Sequence, residues 1–350
     1  MAPSLQLLLW MPWMSATAGV SAGVSGAAPS AVYVMGPSLL LLWMPWMCAS
    51  ATAGGGSAGA PSHVPPLRLD GSCGAFKPLG EATAATADSL SSVRPYVIRS
   101  WDAACGAPRP ANTPGSLLGL LGANATVQDL SGAGEAVTVA DGETLGSALA
   151  RQAAGERIYY QTPLHLRSAG AAATLCAALP RHLDNGAWLD CLGEPYVDEL
   201  SAAQFSWMAL FVGVGGTGMA LHQDALVAHV WAVQRAGRKR FVFCPPSAAD
   251  GVVLPGTDGM QTVDAFNASS WPPNFAPAKC FHTTVAAGDL VYWPSQWFHQ
   301  SYQPERSVAL SSFSLGRELI EEFGESAGNL FPDSNAELLR KIHECRATLP

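Results

Sequence analysis

Between Trp207 and Ser314 the chain falls into short apolar runs punctuated by Gly, Pro and Asp, and that rhythm limits what it can fold into. Strands are expected over 207–214, 221–226, 229–234, 239–244, 289–293, 298–302 and 307–314, a spacing typical of a jelly roll. Upstream, 94–101 reads as a further strand, while 116–121, 144–150 and 171–179 have helical periodicity. After Gly316, 318–323 and 334–345 again read as helices, and Leu338, Leu339, Ile342 and Cys345 fall on one stripe of the second. The expected architecture is mainly β: a double-stranded β-helix with flanking N- and C-terminal helices. Four regions follow: a leader over 1–67, an N-terminal α/β part over 68–206, the barrel core over 207–316 and C-terminal helices over 317–350.

Inside this frame stands His222-Gln223-Asp224, with His299 75 positions after the aspartate. Alternation along a strand turns the residues flanking Gln223 to one side, so imidazole and carboxylate can share a metal. A distant second histidine completes two imidazoles plus one carboxylate with open positions, the ligand set of a non-haem Fe(II) oxygenase. His229, close by in sequence, reads as a packed or hydrogen-bonded residue rather than a fourth ligand.

The run Arg238-Lys239-Arg240-Phe241-Val242-Phe243 carries a second signal. Read as a strand, it sets Lys239 on the face of Phe241 and Phe243, with Arg238, Arg240 and Val242 on the other. An ammonium on an aromatic face needs an anion, since burying it unpaired is costly. The carboxylate of a bound cosubstrate would supply one. The other reading makes Lys239 one of three cations on a solvated edge strand.

These residues carry a family resemblance. Phe211-Val212-Gly213, Gly215-Gly216-Thr217-Gly218, Leu221 to Asp224, then Gln234, Gly237, Lys239, Pro245-Pro246, Gly288-Asp289-Leu290, Pro294 and Trp297-Phe298-His299 follow one another as in JmjC-type, cupin-like 2-oxoglutarate- and Fe(II)-dependent oxygenases. The similarity extends to small JmjC-only protein hydroxylases. It implies iron held by His222, Asp224 and His299, and 2-oxoglutarate held by Lys239 with Thr217, Ser311 and a tyrosine of the 157–162 strand, Tyr159 or Tyr160. It implies hydroxylation or demethylation of a protein or peptide side chain with release of succinate and CO2; the stripe of the last helix reads first as docking on its own domain, with a homodimer through the C-terminal helices, as in those hydroxylases, the alternative. One departure stands out: the family's threonine three residues before the first histidine is Met219 here. Two rival classes remain, a metal-binding cupin enzyme that does not use 2-oxoglutarate and a silent binding module.

Composition sets limits. A net charge of −8 argues against general attraction to nucleic acid. The eight cysteines contain no C-x-x-C, which suggests neither a zinc site nor a disulfide framework; reduced thiols, with Cys244 a small buried apolar residue, and a cytoplasmic or nuclear setting are the expectation. The first 67 residues hold no Asp, Glu, Lys or Arg and repeat Leu9-Trp10-Met11-Pro12-Trp13-Met14 as Leu42-Trp43-Met44-Pro45-Trp46-Met47. Each apolar run is too short for a ~20-residue membrane span. The first copy, ending in Ala16-Thr17-Ala18, resembles a secretory signal without its usual basic start; a low-complexity leader or a spurious upstream translation is the other reading. Asn124-Ala125-Thr126 and Asn267-Ala268-Ser269 are glycosylation triplets of a kind that chance also produces.

Overall fold

The computed structural model describes residues 75–83, 94–102, 114–130, 143–164, 183, 191, 208–224, 227–254, 262–330 and 335–348. The leader, the 137–139 segment, the expected 171–179 helix and Cys48, Cys73, Cys105 and Cys176 lie outside the described residues. In chain order the strands are β1 (Lys77–Pro78), β2 (Tyr96–Ile98), β3 (Gln128–Asp129), β4 (Tyr159–Leu164), β5 (Met208–Gly213), β6 (Thr217–His222), β7 (His229–Ala236), β8 (Arg238–Cys244), β9 (Phe281–Ala286), β10 (Leu290–Trp293), β11 (Phe298–Gln303) and β12 (Ser307–Ser314). Helices α1 (Pro114–Leu121) and α2 (Leu145–Ala153) precede β5, and α3 (Ala249–Val252) follows β8. Helices α4 (Ile320–Leu330) and α5 (Asn335–Thr348) close the chain.

The strands build two sheets, of order β1-β9-β8-β11-β6 and β2-β10-β7-β12-β5-β4-β3. All pairings within them are antiparallel except β1 with β9. This is the jelly roll expected from the strand spacing. Between the sheets lie Val97, Val230, Ala232, Phe241, Phe243, Val285, Val291, Trp293 and Trp297. The outer face of the seven-stranded sheet packs Tyr160, Leu210, Trp231, Val233, Tyr292 and Leu310 against Leu117 of α1 and Leu145 and Leu149 of α2. Thr144 caps α2, its hydroxyl accepting from Ser147 N at 3.2 Å.

Turn chemistry fixes the register of β7 and β8. Gly237 joins them alone, at φ +67°, and a Cβ there would meet Arg306 O at 2.1 Å. Before β10, Gly288 takes φ +100° and the Asp289 carboxylate accepts from Ser100 N and Ala286 N and pairs with Arg99 at 2.7 Å.

Three expectations change. The strand expected over 221–226 is Thr217–His222, so Asp224 stands just beyond its end. Strand β9 was not anticipated; Phe281-His282-Thr283-Thr284-Val285-Ala286 carries few apolar groups, yet it pairs with β8 along its whole length. The cysteines are not all reduced: Cys244 bonds Cys280, and Cys191 bonds Cys345. Spacings of 36 and 154 residues reflect the tertiary fold rather than any local motif, which hid both pairs from the sequence.

The C-terminal helices dock on their own chain. Ile320, Phe323, Ile342 and Cys345 are buried, and Ser326 Oγ accepts from Val227 N at 3.3 Å. Of the expected apolar stripe, Ile342 and Cys345 are thus already covered within this chain. Among the described residues no helix is long and apolar enough to cross a membrane.

Candidate active site

His222 closes β6 and His299 lies directly opposite it on β11. The next partners are Ser301 and Met219, so β6 spends three steps where β11 spends two. This bulge adds one residue and reverses the alternation. Thr217, Met219 and His222 therefore share the inner face of the five-stranded sheet with His299, Ser301 and Gln303, while Leu221 turns outward to Val242, Cys244 and Phe298.

The donor atoms of His222, Asp224 and His299 lie within 4.8 Å of one another. His222 Nε2 is 3.9 Å from Asp224 Oδ1, and His299 Nε2 is 3.8 Å from Asp224 Oδ2. Donors gathered this closely could hold one divalent ion between them. Both rings are oriented for it. His222 Nδ1 faces its own strand's Ala220 O at 2.8 Å, and His299 Nδ1 faces Trp297 O at 3.2 Å. A carbonyl only accepts, so each Nδ1 holds the proton and each Nε2 presents its lone pair. Burial, with the adjacent His222 next, holds the His299 ring down to about 4, which keeps it neutral. Trp293 lies tilted beside His299, ring centroids 4.8 Å apart, and donates Nε1–H to Asp224 Oδ2 at 3.4 Å. Gln223 anchors the turn by donating to Gln296 O.

Lys239 points inward, as its strand alternation requires. It is 5% exposed, with Nζ 5.0 Å from the ring of Tyr159, 5.3 Å from Phe211 and 5.5 Å from Phe241. Its ammonium donates to Tyr159 Oη at 2.7 Å. Burial pulls its pKa down to about 7, and no carboxylate among the described residues offsets this. Arg238 on the other face is exposed and pairs with Glu305 at 2.8 Å.

The tyrosine register is now fixed. Tyr159 reaches the inner face, opposite Gly213, where an added Cβ would lie 2.8 Å from Gln303 Nε2, 2.9 Å from Thr217 Oγ1 and 3.0 Å from Tyr159 Cδ2. Gly213 is thus the gap that lets three polar side chains converge. Burial raises the Tyr159 phenol, and Ser301 and Gln303 beside it partly offset the rise. Tyr160, the alternative, turns to the outer apolar cluster and is corrected to a core residue.

Thr217 is buried and donates to Val214 O at 2.7 Å. Ser311 lies on β12 opposite Ala232 and Ala209, and donates to Trp231 O at 2.9 Å. His229 sits on the far face of β7. Its Nδ1 accepts from Ser295 N at 3.1 Å and its protonated Nε2 donates to Glu318 at 3.1 Å, so it is a hydrogen-bonded structural residue. Sequence reasoning did not reach Gln303 and Ser301. Both are buried polar groups on the strand of His299, Ser301 at i+2 and Gln303 at i+4, and that alternation was the available signal.

Residues 153–313 match the Cupin-like domain family. That segment, just under half of the chain, is similar to cupin-like domains. The chain is 27% identical over 145 residues to a lysine-specific demethylase of Arabidopsis thaliana, covering 39% of this chain and 15% of that protein. It is 28% identical over 149 residues to tRNA wybutosine-synthesizing protein 5 of Gallus gallus, covering 42% and 46%. It is 24% identical over 133 residues to a 2-oxoglutarate and iron-dependent oxygenase of the same bird, covering 35% and 29%. The chain spans less than half the length of each of these relatives.

Proposed function

We propose that the chain is a 2-oxoglutarate- and Fe(II)-dependent dioxygenase that hydroxylates or demethylates a protein side chain. The observation that carries this reading is the buried Lys239 ammonium, held on the inner sheet face that also bears His222 and His299, and without a carboxylate partner among the described residues. A cupin that bound metal without an anionic cosubstrate would have no use for such a charge, whose burial is costly. The donor set suits the ion: two neutral imidazoles and one carboxylate on one side leave the remaining positions open.

His222, Asp224 and His299 would hold Fe(II), and Lys239 with Tyr159 Oη would bind the distal carboxylate of 2-oxoglutarate. When bound, the iron and its cosubstrate supply the oxidation, with succinate and CO2 as co-products. Trp293 donates to Asp224 and flanks His299, which would help to orient both ligands. Thr217, Ser301 and Gln303 line the inner face from which Lys239 rises. Phe211, Phe241 and Phe243 keep water from the ammonium and strengthen its attraction for an anion. The protein substrate class is supported by the demethylase relative and by the net charge of −8, which disfavours a polyanionic nucleic acid.

The deciding measurement is succinate and CO2 release from 2-oxoglutarate with Fe(II), ascorbate and candidate peptides. Turnover that rises with a peptide supports the reading. Iron binding without any 2-oxoglutarate consumption would make the chain a different cupin, and no iron binding at all would make it a silent module.

A further inference from the structure

Two features play no part in the chemistry proposed above. The first is the pair of disulfides, whose cysteines Cys244, Cys280 and Cys345 are fully buried. Cytosolic and nuclear thiols are kept reduced, so buried structural bridges belong to oxidising compartments. The second is the pair of Asn-x-Ser/Thr triplets, which those same compartments modify. A glycan attached while the chain is extended must end outside the folded domain, and a buried asparagine would bar it. Both asparagines meet that demand: Asn124 is exposed in the turn after α1, and Asn267 is exposed ahead of the short 3-10 turn Ala268–Ser270. At Asn267 the Ser269 hydroxyl donates to Oδ1 at 2.6 Å, a local turn that engages the amide oxygen and leaves Nδ2 without a partner among the described residues.

We propose that this chain folds in an oxidising, secretory-type compartment and that Asn124 and Asn267 are N-glycan acceptors there. In that step the carboxamide Nδ2 attacks C1 of a sugar carried on a lipid diphosphate. An N–C1 bond replaces the C1–O bond, the lipid diphosphate leaves with the electron pair, and the nitrogen gives up one proton. Each bridge forms as two thiols lose two protons and two electrons to a disulfide donor, which becomes a dithiol. The apolar, charge-free run before Ala16-Thr17-Ala18 supplies a means of entering that compartment. The cysteine spacing favours cytoplasm or nucleus, whereas the two bridges favour the oxidising compartment proposed here.

The test produces the full chain with its own leader in secretory-competent eukaryotic cells, beside Asn124→Gln, Asn267→Gln and the double variant. Peptide N-glycosidase should collapse two mass steps in the parent, one in each single variant and none in the double variant. Alkylation in denaturant before reduction should leave Cys191, Cys244, Cys280 and Cys345 unlabelled in peptide mass spectra. Unmodified asparagines would overturn the acceptor assignment, and labelled cysteines would overturn the compartment. A parallel chain with residues 1–67 replaced by a working secretory leader guards against misreading the first result: glycans seen only there reject the native route.

Discussion

The two sheets share a core but differ in what they bury. The inner face of the five-stranded sheet carries the polar Thr217, His222, Lys239, His299, Ser301 and Gln303 beside Met219, Phe241, Phe243 and Val285. The inner face of the seven-stranded sheet is mostly Val97, Val230, Ala232, Val291 and Trp293, with Tyr159 and Ser311 as its polar contributions. Buried polar groups cost stability unless partnered, so gathering most of them on one sheet gives the other the larger share of the apolar packing. The seven-stranded sheet does so on two faces, since its outer side packs the larger apolar cluster. Chemistry and stability should therefore separate by sheet under mutation.

The strongest separation is expected at the triad. His222→Ala, Asp224→Ala and His299→Ala should each bring turnover to background and weaken Fe(II) binding in a titration, while thermal unfolding stays near that of the parent. Unchanged iron affinity in all three would break the comparison outright. Next comes Lys239→Ala, which should cost about 2–5 kcal/mol of 2-oxoglutarate binding, since it strands a buried anion. The apparent requirement then rises tenfold or considerably more, on ~1.4 kcal/mol per decade, with iron binding intact. Leu310→Ala, in the outer cluster of the other sheet, should show the reverse pattern. A loss of about 2–5 kcal/mol in denaturant unfolding is expected, with the 2-oxoglutarate requirement of the folded enzyme unchanged.

A smaller effect follows from protons. Lys239 titrates near 7 when folded, against 10.5 for a free lysine, so between those values the unfolded chain binds more protons. This group's contribution to stability therefore rises with pH across that window. Ligand binding runs the other way: a dicarboxylate needs the ammonium, so above pH 7 binding takes up a proton and affinity falls, by up to about tenfold per pH unit. A pH series of 2-oxoglutarate KM measures this, and Lys239→Arg, whose charge does not titrate there, should flatten it. The least effect belongs to Arg238→Ala on the exposed side of the same strand, which should move neither KM nor melting temperature measurably.

Where one strand's own alternation decided the matter, the sequence was readable. Lys239 with Phe241 and Phe243 went inward and Arg238 outward, because β8 runs without interruption. The β6 segment was harder, because the extra residue between Met219 and His222 is defined only against β11. Choosing Tyr159 over Tyr160 needed the pairing with Gly213, another cross-strand fact. Strand β9 was missed because its stability comes from β8 and β1 rather than from its own apolar pattern. The disulfides were missed for the same kind of reason, since their partners meet only after folding.

The bridge from Cys191 to Cys345 has a topological consequence. It closes a covalent ring that contains β5 to β12, the smaller Cys244–Cys280 ring, and every residue named above for the iron and its cosubstrate except Tyr159. A single cut in any loop of that ring opens the circle without dividing it, so a nicked chain would migrate as one species until reductant is added. Tyr159 alone is threaded in from outside, on a strand laid along the edge of β5.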